Sequence, residues 1–251
     1  LLSPSELPSV RYFTCIRSAS QYIDGILARF YRAAGGVAHN LPNYYFHSKP
    51  AESGDLREAE SALRNLTPVG FYFGALRPIE GNPDLSAYRR VVVVRDPRDI
   101  IVSFYFSLAY AHTPSDAKFI RDAKEARAQG IEWFVRQPER IAMVREPLEH
   151  YRKSLWGRDG VFCWRYEEMM GSFREFATAL EAYATEGQAA QEVETIVAEN
   201  EAQNRQAGGE NLLSHRRSGI AGAFRDKLEP ETVDFLTEQF GELLDFYGYE
   251  R

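Results

Sequence analysis

The chain has 251 residues, the length of one large α/β domain or, at a stretch, of two small ones. A hydrophobic fraction of 44% with 13% aromatics excludes a disordered chain. A formal net charge of −6 excludes broad nucleic-acid binding, so basic residues that matter must be few and local. Its two cysteines, Cys15 in Tyr-Phe-Thr-Cys-Ile and Cys163 in Val-Phe-Cys-Trp, lie in apolar strand-like runs and form no disulfide framework. No apolar run approaches the ~18 residues of a membrane span, and the first residues lack the basic-then-apolar pattern of a signal peptide. A cytoplasmic enzyme or binding domain is expected. The chain opens at Leu1 with no methionine, which leaves room for a segment upstream.

Val10 to Ile16 reads as a first buried strand. It runs into Arg17-Ser18-Ala19-Ser20-Gln21-Tyr22 and then a helical pattern of Ile23, Ile26, Leu27 and Phe30. Small and hydroxyl residues at a strand-to-helix turn aim backbone N–H groups at one spot, which suits an anion. The plain alternative is a Ser-capped helix beside a solvated arginine. No Walker A loop is present. Further on, Asn43 to His47 suggests a short strand, Asp55 to Leu66 an amphipathic helix, Val69 to Ala75 another strand, and Pro78 to Leu85 a loop.

Val91-Val92-Val93-Val94 is a run of four β-branched residues, the signature of a strand buried on both faces in a parallel sheet. Asp96 then occupies a helix N-cap position and Pro97 the first helical position. An apolar periodicity follows through Ile100, Ile101, Phe104 and Leu108. Arg95, at the carboxyl end of this strand and beside a helix N-terminus, sits where a phosphate would bind; Arg98 is expected to face outward. The plain alternative is a strand-turn-helix with an exposed Arg-Asp pair.

Ser115 to Trp156 has a helical pattern, with Pro138 and Pro147 as breaks or first-turn positions. Val161 to Trp164 is a short strand, followed by the turn Tyr166-Glu167-Glu168-Met169 and helices over Ser172–Ala182 and Gln188–Glu201. Asn204 to Glu210 is expected to be mobile, and Arg216 to Gly222 forms a second basic, small-residue turn. Pro230 to Phe246 closes the chain as an amphipathic helix with Val233, Leu236, Phe240, Leu243 and Leu244 on one side. The aromatic group Phe104, Tyr105, Phe106 and Tyr110 reads as packing. Alternating strands and helices imply a mainly parallel sheet with right-handed crossovers, whose ligands bind at the carboxyl ends of the strands. Arg17, Arg95 and the Tyr166 turn each follow a predicted strand and so share that edge.

Together these turns resemble the cofactor-binding pattern of sulfotransferases that use 3'-phosphoadenosine-5'-phosphosulfate (PAPS). Ile16-Arg17-Ser18-Ala19-Ser20-Gln21-Tyr22 is similar to the family's loop around the 5'-phosphosulfate. Arg95-Asp96-Pro97-Arg98-Asp99, with Ser103 eight residues after Arg95, is similar to its second signature. The resemblance implies that Arg95 and Ser103 hold the 3'-phosphate. Tyr166-Glu167-Glu168-Met169 is similar to a third signature and implies Tyr166 near the adenine. Arg217-Ser218-Gly219-Ile220-Ala221-Gly222 resembles the late Arg-Gly turn and adds a cation for the 3'-phosphate. The fold implied is a P-loop-like three-layer α/β sandwich with a central, mainly parallel sheet, as one domain over residues 1–251.

Two departures accompany the resemblance. Ala19 stands where the loop usually has glycine, and Gln21 where it has a hydroxyl. Many members also carry a Lys-Thr-His-x-Pro stretch whose histidine is the general base; here Phe73-Gly74-Ala75-Leu76-Arg77-Pro78 has no histidine. A base is still needed to deprotonate an acceptor hydroxyl. His47 is the first candidate, Glu52 the second and His39 the third, against a plain reading of His47 as a loop residue. His112 could line an acceptor pocket. Ser115 to Gln137 and Asn204 to Glu210 are expected as lids or walls of the acceptor pocket.

The expected activity is sulfuryl transfer from PAPS, without a metal, to a hydroxyl or amine of a small-molecule or carbohydrate acceptor. Arg17 would stabilise charge at the 5' end. Two alternatives stand beside it. A small-molecule P-loop kinase would need Mg²⁺ and a loop lysine. A non-catalytic nucleotide-binding protein of the same fold would account for the missing histidine.

Overall fold

The computed structural model describes residues 6–38, 69–76, 87–111, 117–206 and 221–251. Contacts gather into two compact units. One is built from Leu1–Thr14, Ala19–Val93 and Ser154–Ala207, the other from Cys15–Ser18, Val94–Lys153 and Gly208–Arg251. No helix among the described residues is long and apolar enough to cross a membrane.

The first unit carries a five-stranded sheet in the order β2-β3-β1-β4-β5. Its strands are β1 (Val10–Thr14), β2 (Val37–Ala38), β3 (Phe71–Leu76), β4 (Arg89–Val94) and β5 (Val161–Arg165). The pairs β1–β3, β1–β4 and β2–β3 are parallel. Every residue of β1 is buried, and Val91 to Val94 of β4 are fully covered, as a continuous apolar run in a sheet interior requires.

Helix α1 (Ser20–Ala33) buries Ile23, Ile26, Leu27 and Phe30, the i, i+3, i+4, i+7 stripe, and packs on β3. It ends where Gly35, at φ 78°, lets the Gly35 and Gly36 N–H groups bond back to the carbonyls of Arg32 and Tyr31. The same unit holds α5 (Tyr166–Gly171), α6 (Phe173–Thr185) and α7 (Ala190–Gln206), whose apolar faces join one core with Tyr12, Tyr72 and Met169. The Tyr166 turn is thus the first residue of a short helix. Asn204 to Gln206, expected to be mobile, are the last residues of α7; the remainder of that stretch, 207–210, lies outside the described residues.

The second unit begins with α2 (Pro97–Phe106), extended by a π-helical turn over Ser107–Ala111. The Asp96 carboxylate accepts the Arg98 N–H at 2.9 Å, and Pro97 takes the first helical position. That is the start the local sequence dictates. Helices α3 (Ala117–Val135), α4 (Pro138–Ser154), α8 (Phe224–Lys227) and α9 (Pro230–Tyr247) complete it.

The break expected at Pro147 lies elsewhere. α3 is kinked at Gly130, whose φ of 83° is not helical, Pro138 opens α4, and Pro147 sits inside it. A proline in a helix frees the carbonyl four residues earlier. Here that residue is Met143, on an exposed side of α4 where water can satisfy it. Tyr105 packs edge-on against Phe134 at 5.5 Å and is 5% exposed, whereas Tyr110 is 40% exposed. The aromatic group is packing at its centre and surface at its end. In α9, Leu236, Phe240, Leu243 and Leu244 are buried as the periodicity requires, while Val233 is half-buried. The expected elements Asn43–His47, Asp55–Leu66 and Pro78–Leu85 lie outside the described residues.

Candidate functional site

Within the second unit, Arg95 directly precedes Asp96, the N-cap of α2. Asp99 and Ser103 follow at intervals of four on one helix face. Arg95 is 8% exposed; its Nη1 donates to the Arg17 carbonyl at 3.0 Å, and its Nη2 lies 3.6 Å from Asp99 Oδ2. Arg17 Nε donates to Ser103 Oγ at 3.3 Å. Arg17, Arg95 and Ser103, separated by up to 86 positions in the chain, therefore come together. Between them stands Asp99, 1% exposed, which sequence reasoning passed over. Its Oδ2 accepts the Gly222 N–H at 2.7 Å and its Oδ1 the Phe224 N–H at 3.1 Å. Burial pushes the Asp99 carboxyl above its ordinary value, against the opposing pull of Arg95 and those two N–H groups. The spacing of four from Arg95 was its available signal.

Ser18 is fully buried, and its hydroxyl has no hydrogen-bond partner among the described residues. Buried hydroxyls are normally satisfied, so an orphan beside two arginine-bearing segments fits an absent acceptor such as a phosphate oxygen. The residues on either side of it are strained: Arg17 has φ 61° and Ala19 φ 57°, the left-handed region that glycine enters freely. Side chains held there cluster at ligand-binding turns.

In the first unit, Ala19 is the N-cap of α1 and offers no side-chain cap, the kind of helix start whose first N–H groups, at Ser20 and Gln21, suit an anion. Gln21 is exposed. Tyr22 packs against the apolar core with its ring 5.8 Å from Phe173, and its hydroxyl accepts from Asn200 Nδ2 at 2.6 Å. Tyr166 belongs to the same core and is only 6% exposed.

Arg98, expected to face outward, is 2% exposed. Its Nε and Nη2 grip the two oxygens of Asp96 at 3.1 and 2.8 Å. Nη1 donates to Thr237 Oγ1 at 3.0 Å, Nη2 also donates to the Glu250 carbonyl at 2.6 Å, and the guanidinium lies 4.3 Å over the Phe224 ring. The reason is tertiary: α9 and the chain end cover this side of α2, and a planar fork can satisfy all of their acceptors at once. Arg98 is a structural clamp. The expected residues His39, His47, Glu52, His112, Arg217, Ser218 and Gly219 lie outside the described residues.

Residues 84–248, well over half of the chain, match the model of the Sulfotransferase domain. The chain belongs to the sulfotransferase family, enzymes that draw their sulfuryl group from PAPS. No curated protein sequence matches. Among solved structures, mouse sulfotransferase SULT7A1 complexed with PAP is 14% identical with a TM-score of 0.58, over 96% of this chain and 85% of that one. Retinol dehydratase in complex with androsterone and the inactive cofactor PAP is 17% identical with a TM-score of 0.55, over 97% of this chain and 82% of that one. The same enzyme with retinol and PAP gives a TM-score of 0.52 at 17% identity, over 97% of this chain and 82% of that chain. At this identity the likeness is one of fold: a mainly parallel central sheet flanked by helices.

Proposed function

We propose that residues 1–251 act as one sulfotransferase domain that moves a sulfuryl group from PAPS to the hydroxyl or amine of a small-molecule or carbohydrate acceptor. The acceptor oxygen or nitrogen attacks sulfur in line, the bond from sulfur to the 5'-phosphate oxygen breaks, and adenosine 3',5'-bisphosphate (PAP) leaves. The observation that carries this reading is the joining of Arg17, Arg95 and Ser103 beside the orphaned Ser18 hydroxyl. An acidic chain that gathers cations and hydroxyls at one place fits a ligand of dense negative charge.

In this scheme Ser18, Ala19, Ser20, Gln21 and Tyr22 bind the 5'-phosphosulfate, and Arg17 takes up charge that builds on the leaving oxygen. Arg95, Ser103, Arg217, Ser218 and Gly219 hold the 3'-phosphate, and Tyr166 borders the adenine. His47 receives the acceptor proton, with Glu52 next in order and His39 third. The androsterone and retinol held in the two retinol dehydratase structures favour a small alcohol as the acceptor.

PAP titration with a thermal-shift readout tests the donor half. At 100 times its dissociation constant the nucleotide should add ~2.7 kcal/mol of stability, a shift of roughly 5–10 °C for a chain of this size. No shift at millimolar PAP refutes the reading. Incubation with PAPS and a panel of phenols, sterols, sugars and amines then names the acceptor class, and single substitution of His47 and Glu52 locates the base.

A further inference from the structure

A carboxylate is a poor neighbour for a phosphate, because it repels the ligand and cancels part of the arginine charge meant for it. Asp99 nevertheless stands 3.6 Å from Arg95, almost wholly buried. Sulfuryl transfer gives it no proton to move at this end of the nucleotide. Its contacts point to another task. One oxygen faces both the Arg95 guanidinium and the Gly222 N–H, and the other accepts the Phe224 N–H. Gly222, held at φ 76°, and Phe224 directly follow the basic stretch that starts at Arg217, more than a hundred residues away from Asp99 in the chain. Two backbone N–H groups and one guanidinium converge on a single rigid carboxylate, and the first turn of α2 fixes that carboxylate in place.

We propose that Asp99 is the positioning residue of the 3'-phosphate seat: it orients Arg95 and anchors the chain at Gly222 and Phe224 beside it. The inference rests on the assignment of the 3'-phosphate to Arg95. The anchor sets the seat before the ligand arrives, so the cost of ordering it is not charged to binding. The anchored N–H groups and Arg95 also neutralise the carboxylate, which limits its repulsion of the phosphate.

The test compares PAP with adenosine 5'-monophosphate, which lacks the 3'-phosphate, by calorimetry on the full chain and on Asp99→Asn. The amide keeps the shape but turns one acceptor into a donor facing an N–H, and it loses the charge on Arg95. PAP affinity should fall roughly 10- to 100-fold while the monophosphate changes less than about twofold. The KM for PAPS should rise with kcat retained. Unchanged PAP affinity overturns the inference, and so does an equal loss for both nucleotides, the mark of a merely structural residue. If the unaltered protein does not prefer PAP over the monophosphate, the phosphate assignment itself fails.

Amide hydrogen exchange on the unaltered protein gives a variant-free check. The Gly222 and Phe224 amides should be protected without ligand and more so with PAP. Exchange at the unstructured rate in both states removes the anchor.

Discussion

Replacing Arg98 by alanine should unfold the protein's second unit more readily without touching its nucleotide contacts directly. The guanidinium makes charge-assisted bonds to both oxygens of Asp96, bonds to Thr237 and to the Glu250 carbonyl, and a 4.3 Å stacking contact with Phe224. These contacts are not additive, so the loss is better taken from the group left behind. Asp96 keeps 8% side-chain exposure and retains only the backbone N–H of residue 98, at 2.9 Å, from this set. Removing one partner of a buried ion pair costs about 3–5 kcal/mol, and the surviving N–H places this case near ~3 kcal/mol. For a chain of this size that is a fall in Tm of roughly 6–12 °C. Urea denaturation followed by circular dichroism measures it directly. Arg98→Lys should recover part of the loss, since an ammonium can reach Asp96 but cannot fork across three acceptors. Arg95→Ala spares the Asp96 clamp and should instead weaken PAP binding. A urea midpoint unchanged in Arg98→Ala, together with a PAP affinity loss equal to that of Arg95→Ala, would refute the reasoning and make Arg98 a ligand contact instead.

Ala19→Gly should stabilise the protein by about 0.5–1 kcal/mol. Relief of a left-handed alanine, worth ~1–2 kcal/mol, exceeds the ~0.4–1 kcal/mol that glycine adds to unfolded-chain entropy, and a lowered urea midpoint would contradict it. Alkaline stability should fall steeply. Burial raises the hydroxyls of Tyr12, Tyr31 and Tyr72 above their ordinary value, with Asp24 adding to the shift at Tyr72. The folded state therefore holds protons that the unfolded state releases above pH ~10, and each tyrosine removes ~1.4 kcal/mol per further pH unit. A urea midpoint that does not fall between about pH 9 and 11 would show the sign to be wrong. On the acid side, burial lowers His150, so stability should decline as pH drops through ~6.5 toward the folded value, and His150→Phe should flatten that slope in urea titrations between pH 5 and 7.

Local rules accounted for much of the frame. Four successive valines, an Asp at the N-cap and a Pro after it are short-range instructions: β4 ends with the last valine and α2 starts at Pro97, although β4 begins two residues ahead of the valines, at Arg89. The stripe of α1 and the run of β1 were legible for the same reason, since burial on one side or both imposes its period on neighbouring residues, though β1 stops at Thr14, two residues short of Ile16. Helix ends were less legible. Tyr166 to Met169 reads as a turn and folds as a helix, and α7 runs on to Gln206, because polar residues at a helix terminus carry no apolar period.

For this protein, the sequence by itself determined the order of strands and helices and the turns where charge gathers, since both depend on residues a few positions apart. It also set Ser103 eight residues after Arg95, the interval on which the resemblance of that stretch rests. Only the tertiary structure decided what those side chains meet. It brought Arg17 to Ser103, set Asp99 against Gly222 and Phe224, and closed α9 over Arg98. The physical reason is range: an arginine beside a helix start obeys the same local rules whether it faces water, a buried carboxylate or a ligand. Which of these it faces depends on chain more than a hundred residues away.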